Sequence, residues 1–282
     1  MWMVVGNWGY RSWTADGQTW DVEANPKQGN DHTPDLLRGV GWGNGYFVAV
    51  GGDQNSMVMR SADGTQWDVD LHPSGSQWKG DVAYGDGRWV AVGGVGTVIS
   101  SDDDGQTWVD HEERLPSAGR KIEYADGVFV AVGDNGMIAV SEDGMSWADH
   151  TQPGIQSGSA AFGHGTWVVA GRQWNGGGFD ASCVVSTDTQ TWSPCPFGGE
   201  YIRAIATDDR LFVVRDSGYA VTDDGENWTE LDVSTPDFFA RGGDIWIGAS
   251  GSRRYHGDGV DALEEVLSEE RGIRDFVMGY GP

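Results

Sequence analysis

The chain has 282 residues, of which 45 are glycine, and its 43 acidic and 18 basic side chains leave a formal net charge of −25. This charge argues against nucleic acid and anionic membrane surfaces as partners, because phosphate binding requires clustered lysine and arginine. No apolar run reaches the length of about 18 residues that is needed to span a bilayer.

Three short strands are predicted at the N-terminus, within residues 1–24, with the sequences MWMVVG, GYRSW and TWDVE. The turn TADGQTW (Thr14–Trp20) joins the second strand to the third. The N-terminal stretch has no basic start and no cleavage site, so we expect no signal peptide in this chain.

The turn TADGQTW recurs along the chain. Its copies share Ser or Thr, an Asp two residues later, a final Trp and, in all but one, a Gly before it; we call them acidic turns. They are TADGQTW (14–20), SADGTQW (61–67), SDDDGQTW (101–108, with one extra Asp), SEDGMSW (141–147), STDTQTW (186–192) and TDDGENW (222–228). Their tryptophans are 36 to 47 residues apart, a period typical of propeller blades.

A second pattern, an aromatic residue, a glycine-rich turn and an apolar strand, precedes the later acidic turns. Its copies are WGNGYFVAVGG (42–52), YGDGRWVAVGG (84–94), YADGVFVAVGD (124–134) and FGHGTWVVAGR (162–172), with weaker ones at 206–216 and 240–250. The glycines suit tight hairpins whose central residues need a positive φ. Each unit therefore contains strand a, a glycine turn, strand b, a b–c loop, strand c, an acidic turn and strand d.

Six such units start near residues 38, 80, 120, 157, 201 and 237. The last one has a degenerate acidic turn, YHGDGVDAL (255–263), and we predict a strand rather than a helix in the following LEEVLSEER. The N-terminus supplies only strands b, c and d, and IRDFVMGYG (273–281) supplies the missing strand a.

We therefore predict an all-β, seven-bladed β-propeller with four-stranded antiparallel blades over residues 1–282, in which residues 1–24 and 272–282 share one blade. In this arrangement the C-terminal strand joins the N-terminal blade and closes the ring. Closure removes exposed sheet edges, which otherwise invite aggregation.

The pattern Ser/Thr-x-Asp-(x)-Gly-x-x-Trp resembles the Asp-box, or BNR repeat, of sialidases, sortilin-type receptors, photosystem assembly factors and several lectins. An Asp in such a turn accepts hydrogen bonds from nearby backbone N–H groups, which gives it a structural role. The aspartates expected in this role are Asp16, Asp63, Asp103, Asp143, Asp188 and Asp224. Asp102 and Asp104 are additional, but three adjacent carboxylates lack the alternate spacing of a calcium loop.

An enzymatic role is not favoured by the motifs. Sialidases usually have six blades and an N-terminal Arg-Ile-Pro motif, whereas the similar tripeptide here, Arg114-Leu115-Pro116, lies between the third and fourth acidic turns. Nucleophile-elbow, phosphate-loop and zincin motifs are absent from the sequence. We expect a non-catalytic binding or scaffold protein, and keep a polysaccharide hydrolase or lyase as the alternative by analogy.

We expect a ligand on the face of the b–c loops, near the axis and opposite the acidic turns. Trp8 and Trp174 lie in b–c loops and have no place in the repeat, although they could instead pack against the blades. Aromatic rings beside amide and guanidinium groups suit a glycan or a protein ligand. The candidate ligand residues are Trp8, Tyr10, Asn55, Arg172, Trp174, Asn175, Arg253 and Tyr255.

Two further expectations concern calcium and the cysteines. Asp53, Asp134 and Asp216 recur in b–c loops and could hold Ca²⁺, although no cofactor is required. Cys183 and Cys195 lie at matching distances outside the ends of one acidic turn. If they face each other across its hairpin, a disulfide is feasible, with a Cα separation of about 5.5 Å; free thiols are the alternative. We expect a secreted or cell-surface location.

Overall fold

The computed structural model describes residues 1–23, 36–53, 56–71, 77–152, 156–174, 179–196, 201–207, 210–215, 218–232, 236, 238–242, 244–250, 253–268 and 273–278. In chain order its strands are β1 (Trp2–Gly6), β2 (Arg11–Thr14), β3 (Asp21–Glu23), β4 (Leu37–Gly43), β5 (Tyr46–Gly51), β6 (Met57–Ser61), β7 (Asp68–Leu71), β8 (Lys79–Gly85), β9 (Arg88–Gly93), β10 (Val98–Ser101), β11 (Val109–Asp110), β12 (Gly119–Ala125), β13 (Val128–Gly133), β14 (Ile138–Ser141), β15 (Ala148–Asp149), β16 (Gln156–Gly163), β17 (Thr166–Trp174), β18 (Phe179–Ser186), β19 (Ser193–Pro194), β20 (Tyr201–Ala206), β21 (Leu211–Arg215), β22 (Gly218–Thr222), β23 (Thr229–Leu231), β24 (Phe238–Gly242), β25 (Ile245–Ser250), β26 (Arg253–Gly257), β27 (Glu264–Ser268) and β28 (Ile273–Met278).

Short 3-10 turns complete the regular structure of the described residues. They span Asn7–Gly9, Gly94–Gly96, Asp134–Gly136 and Val260–Ala262. The first three lie in the b–c loops of three different units, so these loops share one backbone design. Within the described ranges, no helix is long and apolar enough to cross a membrane.

The strands form seven four-stranded antiparallel sheets, which confirms the predicted propeller. Blade 1 has the order β28-β1-β2-β3, and blades 2 to 7 take four consecutive strands each, starting with β4. The first strands of neighbouring blades contact each other in a closed circle, in the order β28, β4, β8, β12, β16, β20, β24 and back to β28. These seven inner strands therefore surround the axis.

The C-terminal strand closes the ring as predicted. β28 pairs antiparallel with β1, with Trp2 opposite Met278 and Val4 opposite Phe276. The segment after the degenerate turn is strand β27, also as predicted. Each of the seven sheets consequently has its full set of four strands.

The apolar core lies between neighbouring blades. Val48 and Val50 of strand β5 pack with Trp89 and Ile99 of the next blade, and all four are fully buried. Similar clusters join the other blades because the alternating side chains of each sheet cover both of its faces. Stability therefore comes from blade-to-blade contact.

The acidic turns have the predicted hydrogen bonds. In one of them, Asp63 Oδ1 accepts the backbone N–H groups of the residues two and three positions later, both at 2.8 Å. Ser61 Oγ donates to the same oxygen at 3.1 Å and accepts from Gly64 N–H at 2.8 Å, and Gly64 has a φ of +74°. These bonds lower the pKa of Asp63 to about 2. Equivalent bonds are made by Asp16, Asp103, Asp143, Asp188 and Asp224.

The extra aspartates of the third acidic turn have partners of their own. Asp102 forms two hydrogen bonds with Arg88, at 2.6 and 3.1 Å. Asp104 accepts from Asn44 Nδ2 of the preceding blade at 2.6 Å. Of the three adjacent carboxylates, one thus stabilises the turn and the other two bind neighbouring side chains.

The cysteines form the disulfide that the hairpin register made feasible. Cys183 and Cys195 are bonded, with a Cα separation of 5.4 Å. The strands on either side of the acidic turn hold this register, since Val184 lies opposite Pro194.

Replacing Asp63 by alanine should lower the free energy of unfolding by about 1 kcal/mol, as for a lost helix cap. Two backbone N–H groups and one hydroxyl would lose their acceptor. Thermal melting measures the change, with Asp68→Ala as the control, because the Asp68 side chain is 83% exposed and lies 3.5 Å from Arg60. Equal melting temperatures for the two variants would contradict the structural role of the acidic turn.

Candidate functional site

A β-bulge interrupts the start of the inner strand in several blades. The extra residues are Arg274, Arg38, Gly80, Arg120 and Ile202 in blades 1, 2, 3, 4 and 6. A bulge redirects the side chain of its extra residue. Here three of these residues are arginines, and all three line a cavity of about 230 Å³ at the b–c loop end of the axis.

We call this end of the axis the cationic mouth and define it by Arg38, Arg120, Arg203, Arg274 and Trp78. Trp78 comes directly before β8 and is half-buried. The guanidinium carbons of Arg38 and Arg120 lie 4.8 and 4.7 Å from the centre of its ring. The indole therefore supports two cations through cation–π contacts.

The arginines of the mouth repel one another. Burial, followed by the charges of Arg120 and Arg274, lowers the pKa of Arg38 from its ordinary value. Arg38 Nε donates to the Gly52 carbonyl at 3.0 Å, and Arg274 Nε donates to Asn7 Oδ1 at 2.9 Å. Among the described residues, the terminal nitrogens of these two arginines have no hydrogen-bond partner.

A layer that contains four charged side chains lies one residue further along the inner strands. The residues at this position, from blade 1 to blade 7, are Asp275, Gly39, Asp81, Lys121, Ser159, Arg203 and Phe238. Lys121 Nζ reaches from blade 4 across the axis to Asp275 Oδ1 of blade 1 at 2.6 Å, and lies 3.6 Å from Asp81 Oδ2. We call this arrangement the axial ion cluster.

Burial raises the pKa of Asp81 well above its usual range. Burial alone would lower the pKa of Lys121, but the charges of Asp275 and Asp81 raise it. The ammonium of Lys121 thus stays charged.

The same layer also ties neighbouring blades together. Asp275 Oδ2 accepts the Val40 N–H of blade 2 at 2.9 Å, and Asp81 Oδ2 accepts the Ile122 N–H of blade 4 at 3.1 Å. In blade 5, Ser159 Oγ accepts the N–H of Ala204, in blade 6, at 2.7 Å. Because these backbone groups lie at the edges of the inner strands, each bond fixes the spacing of two blades.

The axial ion cluster borders a second, larger cavity of about 440 Å³ that extends towards the acidic turns. Its walls include Lys121, Asp81, Asp275 and Glu123. The Glu123 side chain is exposed to the cavity, but the protein encloses it. Burial therefore raises the pKa of Glu123 to about 7, with Asp275 adding to the shift and Lys121 opposing it.

The predicted ligand residues do not gather at the axis: none of those that the structure describes lines either cavity. Tyr10 is fully buried, and its hydroxyl accepts from Arg254 Nη2 at 2.5 Å, so it is not available to a surface ligand. Arg253, in β26, is exposed and lies 3.6 Å from Glu265. Tyr255 is half-buried in the same strand.

The predicted b–c loop of blade 5 is shorter than expected. Arg172 to Trp174 belong to β17 and pair with β18 as far as Trp174 opposite Phe179. The predicted start of this loop was wrong, because three further residue pairs extend the hairpin of β17 and β18. Arg172 is exposed, and the side chains of Trp174 and Trp8, together with Asn55 and Asn175, lie outside the described part of the structure.

The predicted calcium ligands are not assembled in the described residues. Asp134 pairs through both oxygens with Arg120, at 2.9 and 2.8 Å, and Asp53 is exposed. Asp216 lies outside the described ranges, and within those ranges no group of three or more His, Cys, Asp or Glu could hold a metal ion. Calcium binding stays a prediction.

The sequence contained a signal for the cationic mouth that the repeat alignment missed. Arg38, Arg120 and Arg274 each precede the inner-strand residue that pairs with a valine of strand b. In blades 2 and 4 the alignment began at the aromatic residue four positions after the arginine, Trp42 and Tyr124. The bulge also breaks the alternation that assigns side chains to faces.

No protein-family model matches the sequence, and no curated protein matches it. Solved structures do match. The structure described as YCF48 bound to D1 peptide is 17% identical, with a TM-score of 0.61, over 95% of this chain and 89% of that chain. YCF48 from Cyanidioschyzon merolae is 14% identical, with a TM-score of 0.60, over 83% and 86%. The GH74 enzyme of Niastella koreensis is 17% identical, with a TM-score of 0.55, over 96% and 43%. At these identities the likeness shows the fold alone.

Replacing Asp275 by alanine should lower the free energy of unfolding by about 3–5 kcal/mol, the usual cost of breaking a buried ion pair. The change would remove the nearer of the two carboxylates beside Lys121 and leave the Val40 N–H without an acceptor. Urea denaturation measures the difference, with Asp258→Ala as the control, because Asp258 is exposed. Asp275→Asn keeps an acceptor for the N–H and should fall between the two. Similar losses of unfolding free energy in Asp275→Ala and Asp258→Ala would show that the axial ion cluster does not stabilise the ring.

Proposed function

We propose that this protein is a non-catalytic binding protein whose cationic mouth holds a carboxylate group of a peptide or protein ligand. The observation that carries the proposal is the collection of like charges at the bulges of three blades. Asp134 already pairs with Arg120, but an anion bound at the terminal nitrogens of Arg38 and Arg274 would offset the repulsion that lowers the pKa of Arg38. An arginine offers two parallel N–H donors that match the two oxygens of a carboxylate.

The arrangement of partners supports a carboxylate ligand. The side-chain Nε groups of Arg38 and Arg274 are already bonded to protein oxygens, which orients both guanidiniums. Their terminal nitrogens would be the donors to the ligand. The Trp78 ring, which contacts Arg38 and Arg120, offers an apolar surface on which the chain of a peptide could lie.

The charge of the whole protein favours recognition at this place. A chain with a net charge of −25 repels acidic ligands over most of its surface. The mouth would therefore be the favoured docking point for a carboxylate, and the rest of the surface would act against misplaced binding. A similarly folded structure is described as bound to a peptide, which is consistent with this mode. Glycan binding and polysaccharide hydrolysis stay predictions from the sequence.

Fluorescence polarisation with a hexapeptide library tests the proposal. One half of the library has free C-terminal carboxylates, and the other half has the same sequences as C-terminal amides. We expect binding to the free carboxylates, weakened by about tenfold or more in Arg38→Gln and in Arg274→Gln, as for a lost charge-assisted hydrogen bond. Higher salt should weaken it further, because the mouth is open to solvent.

The matched control is Arg210→Gln. Arg210 is exposed and lies in the turn between strands a and b of blade 6, at the end of the propeller axis opposite the cationic mouth. It pairs with Asp223 at 3.1 Å. The control makes the same charge change and should bind like the wild type. Equal binding of carboxylates and amides, or equal loss in the control, would contradict the proposal.

A further inference from the structure

The larger axial cavity has the properties of a binding site that is separate from the cationic mouth. Its volume of about 440 Å³ lies within the range of about 300–1,000 Å³ found for small-molecule sites. Half-buried aromatic side chains from four consecutive blades line it. They are Trp42, Tyr84, Tyr124 and Phe162.

The packing of the inner strands holds these rings in place. A Cβ atom at Gly85 would overlap the Tyr124 ring, so this ring lies directly on the backbone of the preceding blade. Gly43 has the same relation to Tyr84. Tyr124 also packs on Phe129 of its own blade, with ring centres 4.6 Å apart. A lining fixed in this way loses little freedom when a ligand binds.

One carboxylate in the cavity stands apart from the axial ion cluster. Asp275 and Asp81, which also line the cavity, lie 2.6 and 3.6 Å from Lys121 Nζ. Glu123 lies two residues beyond Lys121 on the same strand and is exposed to the cavity. Among the described residues, its carboxylate has no hydrogen-bond or ion-pair partner. A cation inside the cavity would supply one.

We propose that this cavity binds a small organic cation, an alkylammonium or quaternary ammonium group, with its charge at Glu123 and its carbon atoms against the aromatic rings. Aromatic side chains attract such cations through the negative faces of their rings. The acidic turns lie on the same face of the propeller as the a–b turns, as the contact of Asn44 with Asp104 shows, and this is the face towards which the cavity extends. Their negative charge would draw cations towards the opening.

The proposed binding depends on pH in a defined direction. The charged groups that line the cavity with Glu123 are Lys121 of its own strand and Asp81, Asp275 and Arg203 of other inner strands. With a pKa of about 7, Glu123 is mostly protonated at pH 6 and mostly ionised at pH 8. The affinity for a cation should therefore rise by about tenfold between these two values, in proportion to the ionised fraction.

Isothermal titration calorimetry at pH 8 tests the proposal with n-butylammonium chloride and tetramethylammonium chloride, against sodium chloride at equal ionic strength. We expect saturable binding of at least one organic cation and none of sodium. Nα-acetyl-lysine methylamide distinguishes the source of the cation: binding of this compound as well means that a protein-borne lysine can enter. Binding of butylammonium alone assigns the site to free amines. Both results support the proposal.

The informative variant is Glu123→Gln, and the matched control is Glu142→Gln. Glu142 is an exposed residue of an acidic turn at the same end of the axis and does not line the cavity. We expect the first change to weaken cation binding at least tenfold and the second to leave it unchanged. Because burial disfavours the ionised Glu123, the Glu123→Gln variant should melt no lower than the wild type at pH 8, which shows that it folds.

The absence of saturable heat with both organic cations at pH 8 would overturn the proposal. Equal weakening by the two glutamine variants would overturn it as well, because the effect would then be general electrostatics. Binding of glucose without binding of either cation would show that the cavity is a sugar site. Carboxylate binding at the cationic mouth does not involve Glu123, so the two proposals can fail separately.

Discussion

The pairing of β28 with β1 joins the two ends of the chain, and the carboxylate of Asp275 in β28 connects this shared blade to a neighbouring blade and to a lysine on the far side of the axis. One oxygen accepts the Val40 N–H of blade 2, and the other lies 2.6 Å from Lys121 Nζ of blade 4. A ring of separate sheets has no covalent bond between its last blade and its first other than through a shared blade. The closing strand and its carboxylate supply that connection, and both axial cavities depend on it.

The axial ion cluster also separates two environments within one channel. On the side of the b–c loops, bulged residues collect arginines around Trp78. On the side of the acidic turns, aromatic rings surround Glu123. Lys121 lines both cavities and spans the axis between them. A channel divided in this way can present opposite charges to ligands at its two ends, although the protein as a whole is strongly acidic.

The sequence predicted the repeated parts of the fold well, because each depends on contacts within one blade. Asp63 bonds to its own turn, Cys183 meets Cys195 across its own hairpin, and β28 completes a blade whose missing strand could be counted. The surroundings of the candidate ligand residues were harder to predict, because they depend on contacts between blades. Tyr10 has the local setting of a loop residue, but the neighbouring blade covers it with Arg254.

The amino-acid sequence by itself determined the number of blades, the order of their strands and the closure of the ring, since period and local hydrogen bonding specify all three. The tertiary structure alone decided which side chains meet at the axis. Arg38, Arg120 and Arg274 are far apart in the chain, and so are Asp81, Lys121 and Asp275. They come together because bulges redirect side chains and because seven inner strands converge on one line. The three arginines occupy matching positions in their blades, but the spacing of the acidic turns indicates neither effect.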